Sequence, residues 1–224
     1  MIQKERHVLV IFPHPDDEAF GVSGSIATYR KLGTPVTYAC LTLGEMGRNL
    51  GNPPFATRES LPEIRRKELQ EACRAMGIED LRMLGFRDKT LEFEEEETLV
   101  NCITNLINEL NPSLIITFYP GYSVHPDHEA TGRAVVSAVR RLQKERRPKL
   151  YCVAFSKNCE EELGPPDIIH DISGAIEEKK RALKAHISQT AWFLQDLEKG
   201  LAAKVPEALR WFQYERFWSY KWDD

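Results

Sequence analysis

Val8-Leu9-Val10-Ile11-Phe12-Pro13-His14-Pro15-Asp16-Asp17-Glu18 joins an unbroken apolar run to an imidazole and a cluster of carboxylates. A run this short and this apolar reads as a buried strand of a parallel sheet. The prolines on either side of His14 keep that strand from continuing and from bending at once into a helix. His14, Asp16 and Asp17 therefore stand at the carboxyl end of a strand, where open α/β sheets bind their ligands. Adjacent Asp16 and Asp17 cannot point the same way. One can hold a cation beside His14 while the other faces whatever that cation activates, the division of labour that a metal hydrolase needs.

Outward from this stretch, apolar runs alternate with helix-period segments. A helical pattern covers Ala19 to Lys31 and stops at Gly33, and a second strand runs from Val36 to Leu43. Gly44 to Thr57 is a long loop containing Gly47, Gly51, Pro53 and Pro54, and loops of that length in compact domains usually serve function. An amphipathic helix over Leu61 to Met76 ends at Gly77, and a short strand follows at Leu81 to Leu84. The acidic run Glu92 and Glu94 to Glu97 suits the first turn of a helix reaching about Leu110. Strands at Leu114 to Phe118, Leu150 to Phe155 and Ile168 to Asp171 alternate with helices at Ala130 to Leu142 and Gly174 to Ile187. Tyr214 to Lys221 alternates as a terminal strand with an aromatic face, and Trp211, Phe212, Phe217, Trp218 and Trp222 read as core or subunit contact. The repeated βα order predicts an α/β, Rossmann-like fold: a mostly parallel sheet with helices on both faces, as a single domain over residues 1–224.

Composition narrows the function. The chain of 224 residues is 42% hydrophobic, and 30 basic against 34 acidic residues give a formal charge of -4, so no basic surface for nucleic acid is expected. No apolar stretch approaches the roughly 20 residues of a membrane span, and the polar start at Met1 to His7 does not resemble a signal peptide. A cytoplasmic protein without a membrane partner is expected. The cysteines Cys40, Cys73, Cys102, Cys152 and Cys159 are widely spaced and read as buried thiols.

A second cluster, His125-Pro126-Asp127-His128, follows the strand Leu114 to Phe118 through a short loop. Two strand ends of one parallel sheet open on the same edge, so both clusters can converge. Pro126 suits the first position of a helix, which puts His128 in its first turn and His125 just outside. A lone histidine near a helix start is usually an ordinary surface or capping residue. Two His/Asp clusters, each behind a buried strand and each stiffened by proline, point instead to a metal site. A nucleotide-binding enzyme would share the βα order, but the first strand lacks the Gly-x-Gly-x-x-Gly phosphate cradle. A silent binding module would have no reason to set Asp16 beside the ligands.

Together the two motifs resemble the PIG-L/LmbE-type zinc-dependent N-acetylglucosaminide deacetylases, most closely the branch that deacetylates N-acetylglucosaminyl-malate in bacillithiol biosynthesis. The resemblance is strongest from His7 to about Arg141. It implies that His14, Asp17 and His128 ligate Zn2+, with another divalent metal such as Fe2+ as the alternative. Asp16 would be the general base, and His125 would face the substrate carbonyl with Asp127 behind it. Glu45, after the second strand, and Arg58, after the long loop, match positions that line the sugar pocket. His186 and Gln189 match the family's C-terminal His-x-x-Gln, as pocket residues or as helix caps. Some relatives carry a tyrosine where this chain has Ser123, which leaves neighbouring Tyr122 as the candidate for the oxyanion hole. Relatives often form hexamers or other closed homo-oligomers.

The chemistry agrees with that resemblance. Two imidazoles and one carboxylate leave zinc an open position for water, whose pKa falls to about 7. Asp16 can take the proton, and a protonated His125, its pKa raised by Asp127, can stabilise the oxyanion. Arg58 suits a planar carboxylate such as malate provides. The expected substrate is a small amino sugar, with another N-acyl amino sugar of the chitooligosaccharide type as the alternative.

Overall fold

The structure, a computed structural model, describes residues 1–223, apart from the side chain of Glu198. Strand β1 (Val8–Phe12) is buried along its whole length. It pairs in parallel with β2 (Val36–Cys40) on one side and with β4 (Leu114–Phe118) on the other. Parallel pairing continues outward to β3 (Asp80–Met83) beside β2 and β5 (Lys149–Val153) beside β4. Among the described residues the sheet has seven strands in the order β3-β2-β1-β4-β5-β7-β6, where β6 is Ile168–Asp171 and β7 is Tyr214–Ser219. The chain steps from β1 outward to β3 and then returns to the far side of β1. That reversal opens a crevice above the β1–β4 junction, the place where such sheets bind ligands. Both motifs follow those two strands.

Alternation along β1 divides the core. Val8, Val10 and Phe12 face one layer, built from α2 (Ser23–Lys31), α3 (Leu61–Met76) and α7 (Ile176–Ala185). Leu9 and Ile11 face the other, built from α4 (Glu96–Leu110) and α5 (Pro126–Arg140). Each fully buried side chain of this size contributes roughly 1.5–3 kcal/mol relative to exposure. The arrangement is the expected one, with helices on both faces of a mostly parallel sheet. β7 departs from it by pairing antiparallel with both β5 and β6. Phe212, Phe217 and Trp218 are buried, as core aromatics should be, and all five cysteines are free.

Three elements differ in detail. The helix expected from Ala19 is split into α1 (Asp17–Gly21) and α2. The backbone N–H groups of Gly24 and Ser25 donate to the Glu215 carboxylate, which starts a new helix there and turns the chain. The segment from Gly174 forms a short turn before α7. A break at His186 then leads into α8 (Ile187–Ala202). α8 and α9 (Pro206–Gln213) were not anticipated, although Leu194, Leu197 and Leu201 sit at helical spacing. The short helix α6 (Cys159–Leu163) completes the set.

Candidate active site

The crevice holds a pocket of about 480 Å³ lined by both motifs. His14 leaves β1 between its prolines, and His128 sits in the first turn of α5. His14 Nδ1 and His128 Nε2 approach to 3.2 Å. Asp17 closes the triangle, with Oδ2 at 3.4 Å from His14 Nδ1 and Oδ1 at 3.3 Å from His128 Nε2. The opposite nitrogen of each ring is already engaged: His14 Nε2 lies 3.1 Å from Asp127 and 3.2 Å from Asp88, and His128 Nδ1 lies 3.0 Å from the Ser123 carbonyl. Oxygen acceptors at those nitrogens assign them the protons. His14 Nδ1 and His128 Nε2 therefore face each other and Asp17, and with these nitrogens deprotonated the three groups could hold a cation.

Two other groups of donor atoms converge nearby, His14 with His125 and His128, and His14 with Asp88 and Asp127. Neither presents the same lone pairs. His125 Nδ1 accepts the Asp127 backbone N–H at 3.1 Å, so its free Nε2 carries the proton. In the second group the shared His14 nitrogen is the one that donates to the carboxylates. The donor set of His14, Asp17 and His128 thus fits a divalent ion best. Burial opposes a charged His14, yet the Asp127, Asp17 and Asp88 carboxylates accept its hydrogen bonds and hold its pKa well above the ordinary value, so a cation binding here would displace a proton from the ring. Burial likewise opposes a charged Asp17, but His128 and His14 draw its pKa down.

Asp16 faces the pocket from a strained backbone, with φ at 112°. A residue with a Cβ rarely adopts that conformation, and it costs on the order of 1–3 kcal/mol. Burial first, and then Asp17, push the Asp16 pKa up to about 6 against the opposing charges of Arg65, His186 and His14. Arg65 lies 3.2 Å from Asp16 Oδ2 and also donates to the carbonyls of Gly44 and Pro15.

The relation of Asp127 to His125 differs from expectation. The Asp127 carboxylate accepts the backbone N–H groups of Lys89 and Leu91, at 2.7 and 3.2 Å, and stands behind His14. It meets His125 through its backbone N–H alone. His125 is accordingly not raised in pKa: burial, then the charges of His14 and His128, lower it, and the ring is a neutral Nε2–H donor.

Of the residues expected in the sugar pocket, Gln189 lines it. Glu45 instead accepts the backbone N–H of Asp88, tying one loop to another. Arg58 is exposed and donates to the carbonyl of Gly47, which lines the pocket while Arg58 itself does not. The Tyr122 hydroxyl donates to Glu162 at 2.9 Å, so no tyrosine of this loop reaches the site. His186 is fully buried against Glu18. Two guanidinium groups do line the pocket, Arg48 and the buried Arg65. The signal for Arg65 was present, since Leu61, Arg65, Leu69, Ala72 and Met76 form the buried stripe of α3 and a charge on such a stripe requires a partner. Asp88, in the loop that follows β3, was also missed.

Comparison with known proteins shows the family of the chain. The profile of the PIG-L family, described as GlcNAc-PI de-N-acetylase, matches residues 9–139. A Bacillus cereus protein named "Probable N-acetyl-alpha-D-glucosaminyl L-malate deacetylase 2" is 56% identical over 219 residues, 98% of this chain and 100% of that one. A Bacillus subtilis protein of the same name is 53% identical over 220 residues, again 98% of this chain and 100% of the other. Among solved structures, the N,N'-diacetylchitobiose deacetylase from Pyrococcus horikoshii, complexed with its inhibitor MPG, is similar with a TM-score of 0.73 at 25% identity, over 96% of this chain and 84% of that one. With a profile that spans both motifs and relatives that match it almost end to end, this chain belongs to the PIG-L family.

Proposed function

We propose that this chain is a zinc-dependent N-deacetylase that hydrolyses the acetamide of N-acetylglucosaminyl-malate, with His14, Asp17 and His128 as the metal ligands. The observation that carries the proposal is the triangle of imidazole nitrogens and carboxylate oxygens beside a separately held Asp16. The names of the two Bacillus relatives favour the malyl substrate. An ion bound in the triangle supplies the positive charge that makes water acidic near neutral pH and polarises the acetyl carbonyl.

The chain's own residues carry the proton and the geometry. Asp16 Oδ2 faces Arg65, which leaves Oδ1 to accept the proton of the attacking water. His125 Nε2–H donates to the oxygen of the tetrahedral intermediate as negative charge develops there. With a pKa of about 6, Asp16 then returns its proton to the departing amine nitrogen, and acetate and a free amino sugar leave. Asp127 and Asp88 fix the His14 ring, and the Ser123 carbonyl fixes that of His128. Arg48 and Lys89 line the pocket as the cations available to a malyl carboxylate, the part first given to Arg58.

The test measures metal content and acetate release together, on N-acetylglucosaminyl-malate, N-acetylglucosamine and diacetylchitobiose. About one zinc per chain is expected, with hydrolysis abolished by chelation, restored by zinc and fastest on the malyl substrate. A His128→Ala variant that keeps full metal content and activity would remove the ligand assignment. Faster release from diacetylchitobiose would favour the alternative substrate. The cytoplasm and a closed homo-oligomer complete the proposal. Exposed Ile169 and Tyr214 near edge strand β6 offer an apolar face for the contact, which light scattering would read as a mass above that of one chain.

A further inference from the structure

Glu18 plays no part in the chemistry above, although it belongs to the first motif and is 0% exposed. A carboxylate taken wholly out of water is costly unless its oxygens are occupied. Here they are. His186 Nε2 lies 2.6 Å from Oε1, while Oε2 accepts the Tyr38 hydroxyl at 3.0 Å and the backbone N–H of Asp16 at 3.1 Å. His186 stands at the break between α7 and α8, is itself 0% exposed, and has no partner at Nδ1 among the described residues, so its side-chain bonding is directed at Glu18.

The third of these bonds matters most. A left-handed backbone at a residue with a side chain persists only where the surroundings hold it, and the direction of the Asp16 carboxylate follows from the peptide plane that Glu18 grips. Glu18 lies only two residues further along the chain, so it can hold that plane only if it is itself fixed. Tyr38 on β2 and His186 fix it from two separate elements. We infer that His186, acting through Glu18, is a positioning residue that holds the backbone of Asp16 in the conformation its carboxylate needs for proton transfer. The inference rests on the reading of Asp16 as the base, and it gives the His-x-x-Gln histidine a role beneath the pocket rather than in it.

The test uses His186→Leu, which removes the donor, and His186→Gln, whose amide nitrogen can occupy the place of Nε2. Hydrogen exchange at the Asp16 amide, followed by NMR, requires neither metal nor activity. His186→Leu should lose roughly tenfold in protection there, the scale of one hydrogen bond, while Val10 and Ile116 in the sheet stay unchanged and His186→Gln retains most of it. In turnover, His186→Leu should lower kcat roughly tenfold with KM and metal content within about twofold, and should add less than about twofold in an Asp16→Asn background. Unchanged protection at Asp16, or equal losses in both backgrounds, overturns the inference. Should His186→Leu fail to fold, Tyr38→Phe removes a hydroxyl from the same carboxylate and should give the same pattern at roughly threefold; an Asp16 amide indifferent to it likewise overturns the inference. If the wild-type chain releases no acetate, the proposed function fails, and the exchange measurement still decides this point.

Discussion

A carboxylate that takes a proton from water and returns it to an amine works best with a pKa near the working pH. Asp16, at about 6, reaches that value because burial and Asp17 raise it while Arg65 holds it down. Asp16→Asn should therefore keep the metal and lower kcat by roughly a hundredfold or more, the scale of a lost general base; an Asn variant with near-normal kcat would sink the mechanism. Arg65→Ala should lower kcat/KM by more than roughly tenfold, because the base loses both its orienting partner and the cation that keeps it ionised, whereas Arg58→Ala should cost less than about threefold. Steady-state kinetics on the two variants separates them. The contrast explains what was legible at this scale. His14, Asp16, Asp17, His125 and His128 could be read because short motifs with prolines fix where their side chains start. Arg58 was read from its matching position after the loop and its fork suited to a carboxylate, while Arg65, hidden on a helix face, needed the burial of α3 to be recognised.

The loop between β4 and α5 stores strain where the second motif begins. Val124 has φ at 64°, and the His125 N–H donates to the Ser123 carbonyl at 2.7 Å across it, closing a γ-turn that is rare for a β-branched residue. The same carbonyl orients His128. Val124 is exposed, so no packing repays the cost. Val124→Asn, which tolerates positive φ, should raise stability by roughly 0.5–1 kcal/mol in urea denaturation while leaving metal content intact; a loss of stability would mean that the strain is not in this turn. Periodicity exposed β1, β4 and α5, which carry both motifs, but it could not find such a turn. Nor could it find Asp88, whose place depends on β3 pairing beside β2. Those contacts are made between strands and leave no local pattern in the sequence.

Across the molecule, the sheet ties the site to groups far from it. His170 on β6 is buried against Ser25 of α2, and burial lowers its pKa to about 4 despite the Glu215 charge. An unfolded chain binds that proton near pH 6.5 while the folded one refuses it until about 4, so this residue withdraws stability as pH falls between the two values. The total is on the order of 3 kcal/mol, and His170→Gln should flatten the fall in stability between pH 6.5 and 4; an unchanged pH slope in urea denaturation would count against it. The parallel half of the sheet was readable from its apolar strands and βα order. The antiparallel end was not, because nothing local in Tyr214–Ser219 says which strands it will join. β7 lies between β5 and β6, and its pairing with β6 is the one that brings β6 into the sheet. Ribosomes deliver residues in order, so β5 and β6 emerge with bare edges and wait for β7. A nascent chain stalled before Tyr214 would carry every proposed metal ligand yet leave β5 with an open edge and β6 with no strand partner. Premature termination there should yield aggregates rather than a smaller working enzyme.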